Sequence, residues 1–243
     1  MEKNAALAAL VKRLSATAAL NDEDRRALEA LPLRIERKGP NETIVSSGDR
    51  PSLCCMVVNG FVIRSKAVAD GRRQILAFHQ PGDIPDLQSL YLHVLDHELS
   101  TMSECVLAFI PHAALRGMIT RRPLLAEVLW RDTLIDAAIF REWICNVGQR
   151  SGISRMAHLI LEIYTRLKTI GATKDGAFRF PVTQLQLGQA IGMSSVHVNR
   201  ILQELRAEGL LQIGHSEIVI YDERKLRELA DFDQLYLHLD PAL

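Results

Sequence analysis

Pro181 to Gly209 read PVTQLQLGQAIGMSSVHVNRILQELRAEG, and this stretch decides the fold of the C-terminal half. Thr183 followed three residues later by Gln186 is a capping-box pairing with Pro181 just upstream, which predicts a helix from Gln184. That helix stops at Gly192. Ser194 then caps a second helix, which ends at Gly209, a natural glycine beyond a helix C-terminus. Leu187, Ile191, Met193, Val198 and Ile201 can meet as a shared core, and Gly188 lets the two helices approach closely. Two short helices across a tight turn form a helix-turn-helix, whose second helix enters the major groove of DNA.

On that second helix Val198, Ile201, Leu202 and Leu205 follow the i, i+3, i+4, i+7 rule and face inward. Val196, Asn199, Arg200 and Gln203 repeat the spacing on the outward side. A merely solvated face favours Glu and Lys; this one offers two amides, a guanidinium and an apolar side chain, all suited to base edges. Thr183, Gln184, Ser194, Ser195 and His197 sit near helix N-termini, where phosphates are favoured.

The rest of the composition narrows the choice. The chain has 243 residues, enough for two cores, with 24% charged and 48% hydrophobic residues, as in soluble globular proteins. No apolar run approaches the roughly 18 residues that span a bilayer, and the N-terminus lacks a signal-peptide layout, so a cytoplasmic location is expected. Cys54, Cys55, Cys105 and Cys145 show neither disulfide-framework nor CxxC spacing and read as buried free thiols. No metal and no cofactor is expected. There is no Gly-rich phosphate loop, GxSxG, HExxH or credible carboxylate pair, which argues against an enzyme. The formal net charge is zero and the pI about 7.1, which argues against a generic polyanion binder. A dimeric sequence reader can work with a few local cations.

In chain order, Asn4–Leu14 is a short amphipathic helix. Asn21 caps a second over about Asp22–Leu31. From Leu33 the texture becomes short strands broken by Gly, Pro and Asp: LRIERKGP, ETIVSSGD, CCMVVNGFVIRSKAV and RRQILAFHQPGD. Asp70-Gly71 marks a hairpin turn between Ala67 and Arg72. CVLAFIP follows a helical piece around Asp86–Leu92. The pattern is a β-roll or jelly roll with helices at its ends. Pro123 to about Arg150 is a long helix in which Trp130, Thr133, Ala137, Phe140, Ile144 and Val147 form a heptad seam, the mark of a homodimer. Gly152 predicts a break or hinge. Another helix runs from about Ser154 to Thr169 with Met156, Leu159, Ile160, Ile163 and Leu167 as its apolar stripe. Gly171–Gly176 reads as loop. FRF and LLQIG…EIVIY are short strands around the helix-turn-helix. Gly214-His215-Ser216 is the tip of a wing that meets phosphate, and Glu223–Leu229 is a closing helix.

A glycine-punctuated roll (Gly48, Gly60, Gly71, Gly82), a long helix, and a helix-turn-helix with a trailing hairpin resemble the Crp/Fnr family of bacterial transcription regulators. The resemblance covers nearly the whole chain. It is strongest in FHQPGD and GQAIGMSSVHVNRILQELRAEGLL and weakest between them. It implies an α+β chain: an N-terminal β-roll sensor domain of the cyclic-nucleotide-binding type (1–120), a dimerisation helix and hinge (121–151), and a C-terminal winged helix-turn-helix (152–235). The expected partners are double-stranded DNA, a second copy of the chain and RNA polymerase, with no membrane. By resemblance, Arg200 matches the arginine that reads a guanine. Val196 stands where familiar members carry a glutamate, and Asn199 where they carry a small residue. Valine can only pack, with a thymine methyl as the obvious partner.

In the cyclic-nucleotide branch a Gly-Glu pair and a later Arg hold the ribose and phosphate. Here Asp86 and Leu87 fall at the Gly-Glu position, and no Lys or Arg lies between Arg73 and Arg116. Carboxylates without a cation repel a cyclic phosphate, so cyclic AMP is not expected and the effector is open, with Asp86, Leu87 and Ser100 as candidate ligand contacts. The N-terminal cysteine cluster of the family's oxygen sensors has no counterpart. His93 and His97 could share a helix face at i, i+4, but no third metal ligand accompanies them. The alternative function is a sensor or adaptor whose helix-turn-helix no longer reads DNA.

Overall fold

The computed structural model describes residues 2–214 and 216–239. The chain forms two compact units, Met1–Lys66 with Leu76–Ala137 and His238–Leu243, and Ala67–Ile75 with Ala138–Leu237.

The first unit opens with α1 (Glu2–Ser15) and α2 (Asp22–Glu29). Asn21 caps α2 by accepting from the Asp24 amide. The helix stops at Glu29, two residues short of its sequence-read end, because Leu31 turns inward and is buried. Seven strands follow: β1 (Arg34–Lys38), β2 (Thr43–Val45), β3 (Leu53–Asn59), β4 (Val62–Ala67), β5 (Arg73–His79), β6 (Glu98–Thr101) and β7 (Cys105–Pro111). They make two sheets in the orders β1-β7-β3 and β2-β6-β4-β5. CVLAFIP reads as a nearly continuous apolar run because β7 is the central strand of its sheet, with Leu107, Ala108 and Ile110 fully buried. Val45, Cys55, Val57, Val62, Leu99 and Leu107 pack in one core cluster. Residues of α1, α2, β3, β7, α3 (His112–Arg121) and the first turns of α4 (Pro123–Gln149) form the other. Gly48, Gly60, Gly71 and Gly82 all take positive φ. At Gly60 a Cβ would lie 2.5 Å from the Glu104 carbonyl oxygen, so this turn accepts no side chain.

The piece expected to be helical at Asp86–Leu92 is a single 3-10 turn, Leu87–Leu90. His93 and His97 lie beyond it in irregular chain, so they share no helix face. His97 is buried, its Nδ1 2.9 Å from Asp96 Oδ1 and its Nε2 3.4 Å from the Gln88 amide. Among the described residues no cluster of three or more His, Cys, Asp or Glu could hold a metal ion.

The second unit is built on α5 (Gly152–Thr169), with β8 (Thr173–Lys174), β9 (Ala177–Arg179), α6 (Gln184–Ile191), α7 (Ser195–Ala207), β10 (Leu211–Ile213), β11 (Glu217–Ile220) and α8 (Glu223–Ala230). The strands form one antiparallel sheet, β10-β11-β9-β8. Gly171–Gly176 is therefore not wholly loop: Thr173 and Lys174 pair with Phe178 and Ala177. Nor does α5 carry a one-sided stripe. Every residue from Met156 to Leu167 is buried, His158, Glu162, Thr165 and Arg166 included. A helix buried all round must satisfy its polar groups internally. Glu162 Oε2 accepts from the Trp143 indole and the Tyr236 hydroxyl, each at 3.0 Å, and Arg166 lies 3.6 Å from the other oxygen. Burial raises the Glu162 pKa. His158 packs between the rings of Phe232 and Tyr236. Its Nε2 is 3.2 Å from Glu142, but that carboxylate oxygen takes Arg150 at 2.6 Å and the ring nitrogens make no hydrogen bond. Burial therefore governs, and the His158 pKa is pushed down to about 3.

The break before Gly152 is real, and the glycine lies just beyond it. α4 ends at Gln149, Ser151 caps α5 by accepting from the Ser154 amide, and Gly152 is already helical. A Cβ on it would meet Ile201 Cδ1 at 2.9 Å and Met193 Cε at 3.0 Å. Gly152 thus lies close against the ends of two side chains of the helix-turn-helix, within an already helical turn. Cys54, Cys55 and Cys105 are buried free thiols, as expected; Cys145 is exposed on α4.

Candidate nucleic-acid interface

The helix-turn-helix is closed by its own caps. Thr183 Oγ1 accepts from the Gln186 amide at 3.1 Å, and the Gln186 side chain accepts from the Thr183 amide at 2.9 Å. Gly192 takes φ +69 and Ser194 caps α7 through the His197 amide. A Cβ at Gly188 would stand 2.4 Å from the Met193 carbonyl oxygen, so the turn lies directly on the first helix. Arg155, which the sequence reading passed over, donates to the carbonyls of Ile191 and Arg150 at 2.8 and 3.0 Å. Its signal was an arginine in the first turn of a strongly apolar helix.

Val198, Ile201, Leu202 and Leu205 are buried. Ser194, Ser195, Val196, His197, Arg200 and Gln203 are exposed, Val196 to 82%. Two side chains are more occupied than their spacing suggested. Asn199 is half-buried and its amide donates to Gln184 Oε1 of α6 at 3.3 Å, so both residues tie the two helices together. Arg200 Nη2 lies 3.3 Å from His197 Nε2, which directs the guanidinium along the helix surface. Thr183 and Ser194 use their hydroxyls as caps, and exposed capping hydroxyls at helix starts are compatible with phosphate contact. β10 and β11 form a hairpin closed by the Gly214 amide to the Glu217 carbonyl at 2.8 Å. Its expected tip residue His215 lies outside the described residues.

Residues 154–229 match the Crp-like helix-turn-helix domain and residues 36–122 match the cyclic nucleotide-binding domain. The chain belongs to the Crp/Fnr family of transcription regulators. Among Crp/Fnr proteins it is 27% identical over 188 residues to a probable transcriptional activator of Rhizobium leguminosarum bv. viciae, covering 76% of this chain and 77% of that one. It is 26% identical over 215 residues to the transcriptional activator protein FnrA of Stutzerimonas stutzeri, covering 87% and 86%. The solved structure of FixK2 from Bradyrhizobium japonicum shares the fold, with a TM-score of 0.75, 24% identity, and coverage of 82% of this chain and 98% of that one. These Crp/Fnr relatives are regulators, not enzymes. Among the described residues no helix is long and apolar enough to cross a membrane.

In the Crp/Fnr roll the candidate ligand contacts are dispersed. Asp86 is buried, its Oδ1 accepting from the Cys55 amide at 2.8 Å, and burial pushes its pKa up to about 7. Leu87 instead lines an apolar pocket of about 530 Å³ with Leu90, Tyr91, Leu129 and Trp130. Ser100 is buried on β6 opposite Thr43 and Ile63. The segment without cations is not without partners. Arg64 of β4 donates to Asp136 at 2.8 Å and to the Pro85 carbonyl, and Arg13 of α1 bridges Asp83 and Asp132 at 2.9 Å each. Of the segment's own acids Asp83 thus gains an arginine, Arg13, from far away in the sequence.

On α4, Trp130, Leu134 and Ile144 are exposed to 67, 52 and 72%. Thr133 is exposed, while Ala137, Phe140 and Val147 are half-buried. The six residues of the expected seam are thus exposed toward its two ends and partly covered between them, with Leu134 exposed beside them.

Proposed function

We propose that this Crp/Fnr protein is a sequence-specific DNA-binding transcription regulator that acts as a homodimer on near-palindromic sites. The observation that carries the reading is the outward face of α7, where Val196 and Arg200 stand exposed on a helix whose opposite side is buried. Paired copies joined along α4 would set two such helices about 34 Å apart, one turn of DNA. Arg200 reads guanine by a bidentate contact, and Val196 packs on a thymine methyl. Selection from a random DNA pool tests this directly, with inverted repeats as the expected products; no enrichment sinks the reading. Arg200→Ala should cost about 1–3 kcal/mol of binding and relax one position of the half-site. Val196→Glu should move the selected half-site at the neighbouring base, and an unchanged selection rejects that role.

The dimer rests on the outward apolar face of α4. Ile144→Asp should shift the purified protein toward monomer in sedimentation, since a charge in an apolar seam is unfavourable. For the sensor we favour a ligand other than cyclic AMP. The Arg64 guanidinium is engaged by Asp136 and Pro85, and the acids Asp83 and Asp86 crowd the turn that would hold a phosphate. Cyclic AMP should leave the melting temperature unchanged; a large stabilisation overturns this part.

A further inference from the structure

A chain of zero net charge that binds DNA must draw cations locally, and Arg200 is one exposed cation on the outward face of α7. The second unit offers more beside that helix. The turn between β4 and β5 belongs to it, with Ala67–Ile75 falling in the same compact unit as α6 and α7. Gln74 Nε2 donates to the Ala190 carbonyl at 3.0 Å, fastening the turn to the last residues of α6. A groove of about 720 Å³ runs between them. Arg72, Arg73 and Gln74 line one wall; Gln189, Met193, Ser194 and Ser195 line the other. Ser194 and Ser195 open the recognition helix.

Arg72 is 83% exposed. Its Nε lies 2.5 Å from Asp70, whose carboxylate also accepts the Arg72 backbone amide at 3.0 Å. That exposed pair holds the turn in shape and contributes little free energy, so its guanidinium can exchange a carboxylate for a phosphate with small loss. A helix about 10–12 Å across fills a major groove about 12 Å wide. The groove's bounding phosphates therefore pass close to whatever flanks the first turn of α7, and here that is the arginine-bearing turn.

We propose that Arg72 and Arg73 form an accessory phosphate-binding surface that grips the DNA backbone beside the recognition helix. The surface supplies affinity without sequence information, as backbone contacts do. The inference rests on α7 reading DNA.

The test uses the full-length protein on the site it selects, with binding measured across a salt series. Arg72→Gln with Arg73→Gln should weaken binding on the order of tenfold at physiological salt and make the log–log salt slope shallower by about 1–2 per protomer, with the half-site preference unchanged. Arg72→Lys with Arg73→Lys should restore most of the slope, because point charge suffices for a phosphate. An unchanged affinity and slope in the glutamine variant, while Arg200→Ala still relaxes the site, overturns the accessory surface and leaves the reading of α7 standing. Failure of the unaltered protein to select any site overturns both.

Discussion

Gly188→Val should cost about 3 kcal/mol of stability and abolish DNA binding at ordinary temperature. The added Cβ would stand 2.4 Å from the Met193 carbonyl oxygen and 3.6 Å from Val198 Cγ2. Met193 also donates its amide to the Gly188 carbonyl at 2.9 Å, so its backbone is held against residue 188 from both sides. A side chain can swing away from an intruding methyl group; a hydrogen-bonded backbone cannot, and the two helices must part. Even Gly188→Ala should lower the melting temperature. Gly148→Ala on α4 is the control: a Cβ there meets nothing within 4 Å, and alanine favours helix by about 1 kcal/mol. Equal melting temperatures for the two alanine variants would show that the close approach at Gly188 is not needed.

The second large effect is in pH. Asp86 has its pKa raised from 3.8 to about 7 by burial. Between these values the folded chain holds a proton that the unfolded chain releases, so this group's contribution is full below about pH 4 and is lost as pH rises toward 7. His158 runs the other way. Its pKa is lowered from 6.5 to about 3, so the unfolded ring takes up a proton that the folded one refuses. Its contribution is full above about pH 6.5 and is lost as pH falls toward 3. The two slopes oppose each other between about pH 4 and 6.5, each reaching about 3 kcal/mol as an upper bound over that window. Urea midpoints measured from pH 4 to 8 separate them by difference. Asp86→Asn should gain relative to the unaltered chain as pH rises, and His158→Gln should gain as pH falls. A variant whose midpoint tracks the unaltered protein at every pH would show that its group does not titrate with folding.

The helix-turn-helix was legible because its determinants are local. Thr183 with Gln186, Gly188, Gly192, Ser194 and the inward set from Val198 to Leu205 all lie within one short stretch, and each acts on near neighbours in the chain. The strand texture and the turn glycines of the roll were legible for the same reason. What could not be read was assembled across distance. Arg64 meets Asp136, and Arg13 meets Asp83 and Asp132, across some 70 residues of sequence or more. A count of charges along one segment could not find them. Gly152 carried a local reason, a break in a helix, but its closeness to Met193 and Ile201 appears only in the fold. Asn199 looked like a free reader until Gln184 came within hydrogen-bond reach from the neighbouring helix. Spacing fixes which way a side chain leaves its helix; what it meets there is set by the rest of the fold.

The chain's two tryptophans sit in opposite surroundings. Trp143 is buried with its indole bound to Glu162, whereas Trp130 stands 67% exposed on the outward face of α4. The protein therefore carries its own optical pair, one indole emitting from a dry interior and one from water. Pairing of copies along α4 would move only the second, so a blue shift of the red-emitting component on concentrating the unlabelled protein would register assembly directly, with Trp143 as the steady internal reference.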